Sequence, residues 1–143
     1  MLLSPRLLLG GQQGGDIPDI TGNYQFLTAA DTLAILEEEE KLKGYIDVLQ
    51  GEDESDAILS YPITAGTRKG MQVDFRTGKI HQKYYRFSGK VERGAGRAEN
   101  EPDFLRLVGG LEIVTVNGET GEESVQRPHV VFKSLGREKP SDE

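Results

Sequence analysis

The sequence predicts an all-β protein, a single antiparallel up-and-down barrel of about eight strands. Apolar and aromatic residues alternate with polar ones in several short runs, which is the period of a strand with one buried face. These runs are joined by hairpin-length turns, and no crossover is long enough for parallel pairing. A meander of this length is expected to close, because open edges invite aggregation.

Composition limits the classes of function. The chain has 143 residues, no cysteine, two histidines and a net charge of -7. Without cysteine there is no disulfide, thiolate nucleophile or cysteine metal site. The acidic balance argues against a nucleic-acid partner, because phosphate binding needs a basic surface. The sequence therefore predicts one acidic globular domain, without a cofactor or a metal site.

Three segments divide the chain by pattern. Residues 1–19 are interpreted as a flexible leader or signal-peptide remnant, since MLLSPRLLL is too short to span a bilayer and is followed by Gly and Gln. Residues 20–136 form the predicted barrel, and residues 137–143 a disordered polar tail. A signal remnant would indicate a periplasmic or secreted protein, and its absence a cytoplasmic one.

The longest alternating run, KIHQKYYRFSGKVERG at 79–94, is the central predicted strand. Tyr85 and Phe87 fall on its inward face, and Arg86 falls on the outward face. A turn at Thr77-Gly78 is expected to connect it to the preceding strand, which carries Val73 and Phe75 inward, while Met71 shares their side.

The segment before it is more ambiguous. Tyr24 and Phe26 share the inward face of a first strand. Residues 31–50 fit either a helix capped by Asp31 or a hairpin, and the hairpin is favoured because its apolar residues alternate. The acidic segment 51–56 is then a loop, and residues 56–64 a short strand or irregular connector, because Pro62 lacks a ladder amide.

Two further strands complete the prediction. The run 104–116 changes its apolar face near Val114, so a bulge at Gly109-Gly110 is expected to reset the register. The last strand runs over 125–135, with Pro128 at an edge or bulge. Mid-strand glycines on the inward faces permit strong coiling or leave room inside; they are Gly22, Gly44, Gly89 and Gly109.

A resemblance adds to this pattern. The GNY of the first strand resembles the Gly-x-Trp start of the lipocalins, with Tyr24 in the aromatic place. The segments YRFSGKVERG, FLRLVGGL and VVFKS are similar to uncharacterised lipocalin-like (calycin-like) bacterial barrels. The resemblance covers residues 20–135 and implies a cup for a small apolar or amphipathic ligand. It transfers no catalytic residue.

The leading functional hypothesis is a non-catalytic binding protein that carries or senses such a ligand inside the barrel. The candidate ligand contacts are Tyr24, Phe26, Tyr85, Phe87, His81 and His129. One alternative is a filled barrel that acts as a structural or protein-interaction module. Another is an enzyme in which His81 and His129 meet across the barrel, with Asp47 or Glu112, as a base or metal site, although no metalloenzyme spacing supports it.

Overall fold

The computed structural model describes residues 17–50 and 57–136, and all of its regular elements are strands. The predicted leader 1–16, loop 51–56 and tail 137–143 lie outside the described residues. No helix in the described chain is long and apolar enough to cross a membrane. The strands are β1 Gly22–Gln25, β2 Thr32–Glu38, β3 Lys41–Gln50, β4 Ala57–Lys69, β5 Gln72–Thr77, β6 Lys83–Arg93, β7 Leu105–Val116, β8 Glu123–Gln126 and β9 His129–Lys133.

The topology is that of an antiparallel meander, so the predicted fold class is confirmed. Each strand from β1 to β8 pairs with the next one along the chain, and β9 pairs with β7 beside β8. The sheet nearly closes through one bridge between Tyr24 and Ser134 and the hydrogen bond from Leu135 N to Asn23 O, at 2.8 Å. The eighth barrel position is therefore one strand interrupted at 127–128, where Pro128 was expected to disturb it.

Residues 31–50 form the hairpin rather than the helix. Its turn lies at Glu39 and Glu40, whose φ angles of 55° and 71° fit a type I′ turn. Leu33 and Ile35 on β2 are buried, as are Leu42, Ile46 and Val48 on β3. Alternating burial of this kind is incompatible with a helical face, which explains the outcome.

The prediction of a short or irregular segment around Pro62 is wrong, because β4 is 13 residues long. The carbonyl of Pro62 accepts a hydrogen bond from Gly78 N, just beyond the end of β5. Since the N–H and C=O of a strand residue point to the same side, the missing amide would also face that edge and not the β3–β4 ladder. A register shift between Ile63 and Ala65 then bends β4.

The connection between β5 and β6 also differs from the prediction. The strand begins at Lys83 and not at residue 79, and the tight turn is formed by His81 and Gln82. Their φ angles are 50° and 66°, and Ile80 and Lys83 exchange both backbone hydrogen bonds around them. His81 consequently lies in an exposed turn rather than on a strand face.

The predicted bulge at Gly109-Gly110 is absent from the β6–β7 pair. Its register is unbroken from the Lys83–Thr115 pair to the Arg93–Leu105 pair. The apolar pattern changes face because Val114 is buried on the outer side, where it pairs with Tyr84 and Val125, while Ile113 still packs against the core.

A chain of aromatic rings fills the interior. Centroid distances of 4.9–5.5 Å join successive rings in the order Phe75, Phe87, Phe132, Phe26, Tyr85 and Tyr61. The space above Gly89 is occupied, because a Cβ there would lie 2.8 Å from Cζ of Phe87. The missing side chain of Gly89 therefore lets strand and ring approach closely and does not leave a void.

The segment before β1 covers one end of the barrel. Ile17 is buried in the core, so ordered packing begins at least three residues earlier than the predicted start at Ile20. Arg68 donates through Nη2 to Ile17 O at 2.5 Å and forms an ion pair with Glu37 at 3.0 Å. The same Glu37 carboxylate accepts from Ile20 N at 3.0 Å, which ties this segment to β2 and β4.

Candidate functional site

The four aromatic candidates of the sequence analysis all lie in the core. Tyr24, Phe26, Tyr85 and Phe87 are each at most 4% exposed. Tyr24 donates its hydroxyl to Ile20 O at 2.7 Å, and the other three rings contact one another or their neighbours in the aromatic chain. Their inward orientation agrees with the alternation, and their contacts are with protein side chains.

The two histidine candidates are not brought together. His81 precedes Lys83, which pairs with Thr115, whereas His129 pairs with Gly110 five residues along β7. At about 3.3 Å per residue this separates their positions by roughly 17 Å. Asp47 accepts a hydrogen bond from Ser60, and neither histidine is buried.

Residues 17–50 and 57–136 contain no group of three histidine, aspartate or glutamate side chains placed to hold a metal ion. The arginines of the loop after β6, an alternative anion site, are engaged locally. The Arg93 guanidinium lies 4.8 Å from the Phe104 ring centroid, and Arg97 N donates to Glu101 at 2.7 Å.

A groove of about 550 Å³ crosses the outer face of β4 to β7, and we call it the arginine groove. Its width follows from four adjacent strands spaced about 4.8 Å apart. The residues that line it are Ala65, Gly66, Thr67, Asp74, Phe75, Arg76, Arg86, Phe87, Ser88, Gly110, Leu111, Glu112 and Arg127.

One row of charges crosses this groove. Arg76 pairs with Arg86 and Arg86 pairs with Glu112 in register, so the three side chains stand side by side on the outer face. Oε1 of Glu112 accepts from Arg86 Nε at 2.8 Å and lies 2.6 Å from its Nη2. The other oxygen, Oε2, accepts from Arg127 Nε at 3.1 Å.

The Glu112 carboxylate is held in its ionised form. Its hydrogen bond from Arg86, and then that from Arg127, lower its pKa below the usual range. The same Glu112 hydrogen bond raises the pKa of Arg86. Glu112 is consequently a weak proton acceptor, and arginine does not release a proton near neutral pH. The row can bind and orient an anion, but it is poorly suited to proton transfer.

Arg76 differs from its two neighbours. It forms no ion pair with any described carboxylate, although it stands directly opposite Arg86. Like charges in directly opposed positions destabilise a sheet. The full set of Arg76 hydrogen-bond donors therefore remains available to a group in the groove.

A second row forms a low floor. Asp74, Ser88 and Gly110 face outward in register, and Gln72 Nε2 donates to Asp74 at 3.2 Å and to Ser88 Oγ at 3.4 Å. A Cβ added at Gly110 would meet no atom within 4 Å. This position is open space, so the floor exposes backbone and small side chains to whatever lies in the groove.

The barrel interior contains two further polar groups. Tyr61 and Tyr85 are almost fully buried, and their hydroxyls have no hydrogen-bond partner among the described residues. Burial raises the pKa of both, and the nearby Tyr61 and Asp31 groups raise that of Tyr85 further. Both phenols are therefore neutral at physiological pH.

Sequence reasoning missed Arg76 and Arg127 as site residues. Alternation identified Arg86 as outward, and Glu112 was considered only as a partner for a histidine. The signal that would have found the site is the register that places Arg76, Arg86 and Glu112 in one row. Comparison of the chain with protein-family models, with curated proteins and with solved structures finds no match.

Proposed function

We propose that the protein is a non-catalytic binding module that acts from the outside of a filled barrel, with its ligand in the arginine groove. The observation that supports this proposal is the position of Phe87. Its ring occupies the space over Gly89 and is only 2% exposed, so the strand glycines do not open the interior. Open volume is found instead on the outer face of the same strands.

The groove has the chemistry of a binding site. It combines three arginines with two carboxylates, and its floor is small and open at Gly110. The chain as a whole carries a net charge of -7, so a groove with excess positive charge is distinct from the surface around it. An anionic ligand is attracted to it over the rest of the molecule.

A carrier of a small apolar or amphipathic ligand is the second candidate. The feature that favours it is the pair of buried hydroxyls on Tyr61 and Tyr85, because a buried polar group without a partner is costly. A ligand head group that reached them would satisfy both. No observation favours the enzyme hypothesis based on His81 and His129.

Kinship with lipocalin-like bacterial barrels is proposed on the same footing. It is supported by the nearly closed antiparallel meander and by the burial of Tyr24 at the start of the barrel. A periplasmic or secreted location stays a prediction, because residues 1–16, which prompted it, lie outside the described residues.

The test compares the groove and the interior by NMR. Pooled small organic anions and acidic peptides should shift the backbone amides of Ser88 and Gly110. The variant Gly110→Phe should lose these shifts, since its side chain enters open space in the groove without a clash. The matched control Val131→Phe alters an exposed apolar position on β9 outside the groove and should retain them.

A separate titration uses fluorescent fatty acids of several chain lengths. Uptake of such a probe, with chemical shifts at Tyr85 and Phe87 and no change at Ser88, would refute the proposal and favour the carrier. The Gly110→Phe variant should leave thermal unfolding close to that of the wild type, which separates loss of binding from loss of fold.

A further inference from the structure

We infer that the arginine groove recognises a single carboxylate on an extended acidic segment of a partner protein, held between Arg76 and Arg86. This inference rests on the proposed function and specifies its ligand. Three features of the groove lead to it: the opposed arginines, the net charge around them, and the open shape of the site.

The opposed arginines supply the contact. Arg76 and Arg86 are directly paired across β5 and β6, and Cβ atoms in such a pair are about 5 Å apart. Arg86 uses Nε and Nη2 on Glu112, which leaves its Nη1 free of that contact, whereas Arg76 makes no described ion pair. One carboxylate between the two guanidinium groups would accept from both and remove their mutual repulsion.

The charge around the site indicates a monoanion. Arg76, Arg86 and Arg127 face Glu112 and Asp74, so the groove carries a net charge of +1. A carboxylate neutralises this charge. A phosphate group near neutral pH carries about -1.5 to -2 and would be repelled by the two resident carboxylates. Asp or Glu side chains therefore match the groove better than a phosphorylated residue does.

The shape indicates a peptide. A small-molecule site typically buries 70–90% or more of its ligand. The arginine groove is instead a surface depression open along the outer face of four strands, about 14 Å across at the spacing of neighbouring strands. An extended chain can follow this depression, with neighbouring residues over Ser88 and Gly110 and one acidic side chain reaching the arginines.

The experiment uses the full chain and three octapeptide libraries, with Glu, Gln or phosphoserine at a fixed central position and the others randomised. Apparent affinity is measured by fluorescence anisotropy and by the amide shifts of Ser88 and Gly110. The Glu library should bind at least about tenfold more tightly than the Gln library, as expected for a charge-assisted contact. Added salt should weaken binding by the Glu library.

The arginine variants test the assigned contact. Arg76→Gln should raise the apparent Kd of the Glu library about tenfold and reduce its preference over the Gln library. Arg97→Gln, which removes an exposed loop arginine outside the groove, should change neither value by more than about twofold. Because Arg76 has no described ion pair to lose, its variant should unfold at the wild-type temperature.

Each contrary result has a distinct meaning. Equal binding of the Glu and Gln libraries, or no binding of either, would overturn the inference. Tighter binding of the phosphoserine library would overturn the assignment of a monoanion, and displacement by free glutarate at the affinity of the peptides would overturn the assignment of a peptide. If Gln peptides bind and Gly110→Phe abolishes that binding, the proposed function stands and only the carboxylate inference fails.

Discussion

Replacement of Phe87 by alanine should lower the free energy of unfolding by about 4 to 5 kcal/mol, near the top of the range for a buried phenylalanine. The ring is 2% exposed and lies between Phe75 and Phe132, with centroid distances of 5.3 and 5.5 Å. Loss of roughly 130 Å² of buried apolar area at ~25 cal/mol per Å² costs about 3 kcal/mol. A residual cavity of roughly 60 Å³ adds about 1.5 kcal/mol.

Urea denaturation followed by circular dichroism measures this cost. The Phe87→Ala midpoint should fall while the m value stays near that of the wild type. The neighbouring outward variant Arg86→Ala should cost a small fraction of that amount, because its side chain is 43% exposed. Equal costs for the two variants would refute the reasoning, since a one-residue slip exchanges the faces of the whole strand.

Four other predictions test separate features. Removal of residues 1–16 should shift the melting temperature by no more than a degree or two, because this segment lacks strand alternation; a large drop by calorimetry would contradict that. Gly89→Leu should strongly destabilise the fold in the same assay, since a Cβ at that position would lie 2.2 Å from a β7 carbonyl oxygen, and a wild-type melting temperature would contradict the close approach. The Tyr85 pKa is raised above its ordinary value of 10.0, so stability that is present below about pH 10 should be lost as the pH rises through the folded-state value; ultraviolet titration should show this phenol ionising only with unfolding. The Glu112 pKa is lowered, so its contribution to stability is present above the ordinary carboxyl value of 4.5 and is lost as the pH falls through the folded-state value, and carboxyl NMR should record a higher pKa in Arg86→Ala than in the wild type.

Alternation predicted most of the fold because burial on one face imposes a period of two. Tyr85, Phe87 and Val73 were assigned to the correct side on that basis, and the hairpin at 31–50 followed from the same rule. Alternation does not report what an inward side chain contacts. It identified Gly89 as inward but not the Phe87 ring above it, which decides between a hollow and a filled interior.

The site escaped prediction because it depends on register. A two-residue turn at Thr77-Gly78 would place Arg76 opposite Lys79. The actual turn uses His81 and Gln82 in left-handed conformations that these residue types seldom adopt, and it places Arg76 opposite Arg86. A displacement of four residues in one turn thus separated the charged row, although each member had been assigned to the outer face correctly or by the same parity.

The seam that closes the barrel sets the order of events during folding. Most strands pair with their sequence neighbours, so successive hairpins require only short loop closures. The bridge between Tyr24 and Ser134 is different, because it joins β1 to a position 110 residues further along the chain. During synthesis, β1 must wait with one edge unpaired until that late segment has emerged. Closure is therefore the slow, high-contact-order step, and the growing chain is most open to aggregation just before it.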